Sequence, residues 1–256
     1  MTSSSCAARK GSAVAVFICS SDNRRDILDR TLPSVQKFWP ACPYPIYVGL
    51  NSCPRALPVG VPIVAAPSEW RREFGQQLSQ IEHDFVIVLL DDFLIQAPVD
   101  DVRLAHLTWT AARMNLDYLR LVPLGRSLLA RATGRQPIEV GPGIQRVRDR
   151  HPFYSALQIA IWRKRHLLPM LEQPLSIWEF ERQCIRDASH CAIKDHPPIA
   201  YRHQVEKGRW LPYARSQLRR AGFAPELGDR PAWPATRYGQ LFFDQLRRVV
   251  LGYATC

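Results

Sequence analysis

The 256-residue chain predicts an α/β fold, with a mostly parallel central sheet flanked by helices and a C-terminal helical segment. Three observations carry this. Apolar runs of strand length, AVAVFICS at 13–20 and FVIVLL at 85–90, lack polar alternation, as strands covered on both faces do. Segments with apolar residues at helical spacing stand between the strand runs, the alternation of an α/β layer. Ser20, Ser21, Asp22, Asp91 and Asp92 follow directly on those runs, at the strand ends where such sheets collect ligands.

Taken in order, the first strand ends at Ser21, Asp22 and Asn23. A helix follows, with Ile27, Leu28, Leu32, Val35 and Phe38 on one side and Pro40 closing it. PYPIYVGLNS reads as a second strand and turn, and VPIVAA as a short third. In SEWRREFGQQLSQI, Ser68 is the expected N-cap, with Trp70, Phe74, Leu78 and Ile81 at helical spacing. The fourth strand is FVIVLL, followed by a helix over DDVRLAHLTWTAARMN and a fifth strand in DYLRLVP. Residues 126–150, rich in Gly, Pro and Arg, predict a functional flap or hairpin excursion. Then come the strand FYSALQIAIW, a helix over 163–171, and a helix start in which Ser176 and Glu179 have capping-box spacing. Trp70, Phe74 and Trp109 are expected in the core, and Trp178 and Trp210 either in the core or stacked on a ligand.

Composition narrows the function classes. At 46% apolar and 22% charged residues the chain reads as globular, and no run reaches the length of a membrane span. The polar start MTSSSCAARKGS lacks the apolar core of a signal peptide, so a cytoplasmic location is expected. Seven cysteines without a CxxC pair predict reduced thiols rather than a disulfide framework or zinc knuckle. A net charge of +11 calls for an anionic partner. The arginine pairs at 24–25, 71–72, 219–220 and 247–248 read as solvated or membrane-apposed helix faces, and without a zinc finger or RNP motif no nucleic acid is expected.

The adjacent carboxylates Asp91 and Asp92 close a strand that has six apolar residues before them. Two acids there suit a divalent cation; the alternative is a turn or helix cap. A DDxxD motif would need Asp where Ile95 stands, and no GxGxxG follows a predicted strand.

FICSSDNRRD, FVIVLLDDFLI, YLRLVP, YSALQIAIWRKRHLL leading to SIWEFE, and VEKGRWLP, in that order over residues 13–212, resemble a GT-A glycosyltransferase of the nucleotide-sugar-dependent type. The resemblance is closest to bacterial enzymes of lipopolysaccharide and capsule synthesis. It departs from them in reading DDF rather than a plain DxD. It implies a tail at 1–12, a catalytic domain at 13–212 and a helical extension at 213–256, packed on the domain or lying on a membrane surface.

The implied donor is a nucleotide sugar, a UDP-sugar first, and the implied acceptor a glycan or lipid-linked precursor at the inner face of the membrane. Ser20, Asp22 and Asp91 would contact the donor, and Lys207 and Arg209 its diphosphate. Asp92 and His203 would bind Mn²⁺ or Mg²⁺. Inversion needs one base, and WEFE supplies the candidates Glu181 and Glu179. The capping box occupies Glu179, which favours Glu181; two solvated helix-start acids are the plainer alternative. A sugar-nucleotide nucleotidyltransferase and a non-enzymatic basic protein binding nucleic acid or anionic lipid are the other classes.

Overall fold

The computed structural model describes residues 13–52, 56–124, 138–148, 151, 153–183, 185, 188–240 and 243. The apolar run of β1 (Val14–Cys19) lies between β2 (Ile46–Leu50) and β4 (Phe85–Leu90), parallel to both, and β2 carries β3 (Val61–Val64) outside it, also parallel. Beyond β4 the sheet continues through β9 (Ala160–Arg163), β6 (Tyr118–Arg120) and β10 (His190–Ile193). It ends in the hairpin of β8 (Ile144–Arg146) and β7 (Glu139–Gly141). These make nine strands, of which β9 and β8 run against the rest.

Strand alternation explains why β1 and β4 are apolar throughout. Val14, Val16, Ile18, Ile87 and Leu89 face Leu28, Leu32 and Val35 of α1 (Arg25–Phe38) and Leu104, Leu107 and Ala111 of α3 (Asp101–Arg113). Ala15, Phe17, Val86 and Val88 face Phe74 and Leu78 of α2 (Trp70–Ser79) and Leu167, Met170 and Leu171 of α4 (Lys164–Glu172). The protein is therefore three layers deep, and both cores are built from the same two strands.

A second, smaller ribbon stands at the carboxyl edge. Immediately after Asp92, β5 (Phe93–Ile95) pairs antiparallel with β11 (Tyr201–His203). The hairpin of β12 (Val205–Glu206) and β13 (Arg209–Trp210) follows, and Trp210 and Val205 pack with Ile27, Leu94 and the Ala214 and Leu218 side chains of α6 (Ala214–Arg220). Residues 235–240 are helical.

Several expectations are corrected. Glu69, not Ser68, is the N-cap residue of α2, and no side chain caps that helix; the Ser68 N–H instead donates to Glu73. The strand expected over FYSALQIAIW is confined to Ala160–Arg163, the stretch that pairs with β4 and β6. Trp109 is 54% exposed, because it lies about 200° around the helix from the buried Leu107. Trp210 is buried in the small core and offers no face to a ligand. Within 126–150 the β7–β8 hairpin is observed; residues 126–137, 149 and 150 lie outside the described residues, as do the expected tail at 1–12 and residues 241, 242 and 244–256.

Candidate functional site

A cavity of about 360 Å³ opens at the carboxyl ends of β1 and β4, between Ser20, Arg24 and Asp91 on one side and Trp70, Phe74 and Ile177 on the other. The strand ends supply its polar floor. The Ser20 hydroxyl donates to Asp91 Oδ2 at 2.8 Å. Arg24 grips the same carboxylate with two bonds, Nε to Oδ2 and Nη2 to Oδ1, each 2.6 Å. Asp91 is 1% exposed. Burial disfavours the Arg24 charge, but the Asp91 carboxylate more than offsets it and holds the guanidinium's proton above its ordinary range. Arg24 is thus one of the cavity's polar groups, not part of the solvated face expected from its place in an arginine pair.

The back wall is fixed by Gln77 of α2, whose Nε2 donates to the Ser20 and Leu50 carbonyls at 3.2 and 3.3 Å. Gly49 leaves it room: a Cβ there would lie 2.1 Å from Gln77 Oε1, and the amide would have to move.

The β5–β11 register sets Phe93 opposite His203 and so brings His203 to Asp92, with Nδ1 3.5 Å from Oδ2. The Gln204 N–H donates to the Asp92 carbonyl at 2.9 Å, and the His203 ring stands edge-on to Phe93 at 4.7 Å. Burial works against the imidazolium, but the Asp92 bond, with the charges of Glu206 and Glu181, holds the His203 pKa above its ordinary value. Glu206 is pushed up by its own burial, against the pull of His203 and Lys207.

The two candidate bases separate as their helical spacing requires. Glu179, on α5 (Ile177–Arg182), is exposed and closes the capping box: Oε2 accepts from the Ser176 N–H at 2.8 Å and the Ser176 Oγ–H at 2.6 Å, which keeps the carboxyl below its ordinary pKa. Glu181 points inward. Its Oε1 accepts from the Leu157 N–H at 2.9 Å, and burial raises its pKa against the charges of Arg120 and His203.

The other predicted donor contacts are partly engaged elsewhere. Asp22 accepts from the Asn51 N–H at 3.0 Å and from the Ser52 hydroxyl, tying the end of β1 to the end of β2; the Ser52 bond lowers its pKa. Lys207 is exposed in the β12–β13 turn, where φ is 48° at Lys207 and 73° at Gly208, the pair of positive values a two-residue hairpin turn needs. Arg230 bonds Asp26 with two contacts of 2.8 Å and reaches Gly208 O at 3.2 Å, so the turn is tied to the start of α1. Arg209 lies 5.3 Å over the Trp233 ring and does not join the cluster. Sequence reading also missed Arg120, at the carboxyl end of β6, which is 7% exposed.

A mostly parallel sheet flanked by helices, with its carboxylates and cavity at one carboxyl edge, is the layout expected from the sequence. The fold is a mostly parallel α/β sheet with helices on both faces. No family model matches the chain, and no curated protein does. Among solved structures this chain is similar to the bifunctional IspDF from Campylobacter jejuni, with 9% identity, 82% of this chain and 54% of that one covered, and a TM-score of 0.44. It is similar to S. aureus TarS 1–349 with 13% identity, coverage of 73% and 59%, and a TM-score of 0.43. With the galactosyltransferase LgtC it shares 11% identity, coverage of 88% and 99%, and a TM-score of 0.39. The chain thus spans little more than half of the first two. Among the described residues no helix is long and apolar enough to cross a membrane.

Proposed function

We propose that the chain is an inverting, divalent-metal-dependent glycosyltransferase. It would move a sugar from a nucleotide sugar, a UDP-sugar first, to a hydroxyl of a bacterial surface glycan or its lipid-linked precursor. The observation that carries the reading is the grouping at one sheet edge of a cavity floored by Arg24 and Asp91, the Asp92–His203 pair, and the inward carboxylate Glu181. A volume of about 360 Å³ suits part of a nucleotide, and Trp70 and Phe74 offer apolar surface for a base.

The residues would hold a cation supplied together with its substrate once it displaces the proton that Asp92 favours on His203. Two ligands of one octahedral cation lie about 3 Å apart, and the Asp92 and His203 donors are 3.5 Å apart. No group of three His, Cys, Asp or Glu side chains among the described residues forms a complete site, so the donor's oxygens and water would fill the remaining positions. A Mn²⁺ or Mg²⁺ held there supplies charge neutralisation for the departing diphosphate.

Glu181 is the base in this reading. It takes the proton of the acceptor hydroxyl while that oxygen bonds to the anomeric carbon, and the electron pair of the broken bond leaves with the diphosphate. Its raised pKa brings it nearer to neutral pH, where a general base works best, and the Leu157 N–H fixes its orientation. Arg24 spends Nε and Nη2 on Asp91, which leaves Nη1 for a diphosphate oxygen at the cavity floor.

The test is thermal unfolding with UDP, GDP, CDP and ADP, each with and without Mn²⁺, because a ligand of the native state raises its stability. Stabilisation by one nucleotide only when metal is present is expected; no shift with any of them overturns the reading. Product analysis separates the neighbouring class, since a nucleotidyltransferase releases pyrophosphate from a nucleoside triphosphate and a sugar phosphate.

A further inference from the structure

Glu73 brings an uncompensated carboxylate to the wall of the cavity. Trp70, Glu73, Phe74 and Gln77 of α2 all line it, and their spacing of three, four and seven residues puts them on one face of the helix. Glu73 is 9% exposed, so an acid stands on the buried face of α2 between aromatic neighbours. A charge held there needs a partner.

The protein does not supply one. Among the described residues the Glu73 carboxylate accepts a single hydrogen bond, from the Ser68 N–H to Oε2 at 3.4 Å, which is long for a bond of this kind. Arg71, two positions back, is turned to Glu69 at 2.8 Å and to the Glu172 carbonyl at 3.2 Å. Gln77 Nε2 donates to the Ser20 and Leu50 carbonyls, and Arg24 to Asp91. The two carboxylates of the cavity therefore differ: Asp91 is matched by a guanidinium and a hydroxyl, Glu73 by neither. Neither Glu73 oxygen is at once sealed and unpartnered, so the free Oε1 keeps an opening, and the cavity is what the residue lines.

We infer that Glu73 reads the base of the bound nucleotide and selects one with an exocyclic amino group over uracil. This rests on the transferase reading and deepens it by naming the donor's base class, which places guanine, cytosine and adenine nucleotides ahead of the uridine one that the resemblance implies. A carboxylate accepts and never donates, so it favours ligand edges that carry N–H groups. Guanine presents two such groups side by side, matching both oxygens, and cytosine and adenine present one amino group each. Uracil offers a single N–H between two carbonyl oxygens, and a carboxylate repels both.

The experiment is titration of the full chain with GMP, CMP, AMP and UMP, followed by ligand-observed NMR; the shared phosphate leaves the base as the variable. At least one amino-bearing nucleotide should bind about 10- to 100-fold more tightly than UMP, the range of a hydrogen bond to a charged group. The tightest of the three identifies the base. Glu73→Gln keeps the side-chain length and adds an N–H donor that suits a uracil carbonyl, so the preference should vanish or reverse. UMP binding as tightly as the others in the wild type overturns the inference. So does a ratio that Glu73→Gln leaves unchanged, the result expected of a residue that only braces the start of α2. If Glu73→Gln does not fold, Glu73→Asp decides: it withdraws the carboxylate by one methylene and should reduce the preference about tenfold, whereas an unaltered ratio rejects the role. GDP and UDP with and without Mn²⁺ are measured separately. A base preference without a metal-dependent gain from the diphosphate sinks only the transferase reading, and metal-dependent diphosphate binding without a base preference sinks only the Glu73 inference. If no nucleotide binds, both fall.

Discussion

His203 Nδ1 lies 3.5 Å from Asp92 Oδ2 because β5 begins one residue after Asp92 and its first residue, Phe93, is in register with His203. If this pair holds the cation, Asp92→Asn and His203→Ala should each abolish the metal-dependent part of nucleoside diphosphate stabilisation. Each should lower turnover by on the order of 10², the usual loss when one stabiliser of developing charge is removed. Undiminished metal-dependent stabilisation in both variants, read by thermal unfolding, would remove the metal from the proposal.

The two acids of α5 should separate cleanly. Glu181→Gln is expected to lower kcat by about 10² to 10⁴ while nucleotide affinity stays near normal. Glu179→Ala should keep kcat and lower stability slightly through the lost cap. In the wild type the acid limb of kcat/KM should lie above the ordinary carboxylate range, because burial raises the Glu181 pKa. An inactive Glu179→Ala with an active Glu181→Gln would reverse the assignment.

Removing Arg24 strands a carboxylate that is 1% exposed. Loss of one partner from a fully buried pair costs about 3–5 kcal/mol; with 36% of the Arg24 side chain open to solvent, about 2–3 kcal/mol is expected for Arg24→Ala. Arg24→Met combined with Asp91→Asn should cost less than the sum of the single changes, measured by urea unfolding at pH 7. Strict additivity would show that the two side chains do not act as a pair.

His190 gives the fold a dependence on acid. It is fully buried, stacked on the Tyr154 ring at 4.4 Å, with Nδ1 3.2 Å from Tyr154 O and Nε2 2.9 Å from His166 Nε2. The neutral tautomer fits: Nδ1–H donates to the carbonyl, and Nε2 accepts from His166. Burial, first of all, lowers its pKa from 6.5 to about 4. A folded pKa below the unfolded one leaves stability intact above pH 6.5 and removes it as pH falls toward 4, by about 3 kcal/mol for this group. Urea midpoints at pH 7.5, 6 and 4.5 should fall accordingly, and His190→Phe should flatten the trend; an unchanged slope in that variant would put the acid sensitivity elsewhere.

The parallel half of the sheet was legible because its signal is local. VAVFIC and FVIVLL are apolar at every position, and strands with that pattern need a layer on each face. Asp92 and His203 were readable as site candidates, but their contact depends on a register between segments more than a hundred residues apart. The arginines were misread for a physical reason. Arg24 and Arg25 are neighbours in sequence, yet only Arg24 turns onto the Asp91 carboxylate, while Arg25 pairs with Asp29 one helical turn on. Arg120 sits in YLRLVP among apolar residues, and only the packing around β6 shows it to be a buried charge. Trp109 could have been placed from sequence, since its angular position opposes that of Leu107 on the same helix.

The Gln77 amide holds the carbonyls of Ser20 and Leu50, and Gly49 leaves it the room to do so. One wall of the cavity is thereby keyed into two strands and cannot swing without disturbing the sheet itself. An occupant meets that wall as a finished mould, so little ordering energy is lost on seating against it. Association there should appear after rapid mixing as a single second-order phase. Any slower phase would report a part of the cavity lining other than that wall.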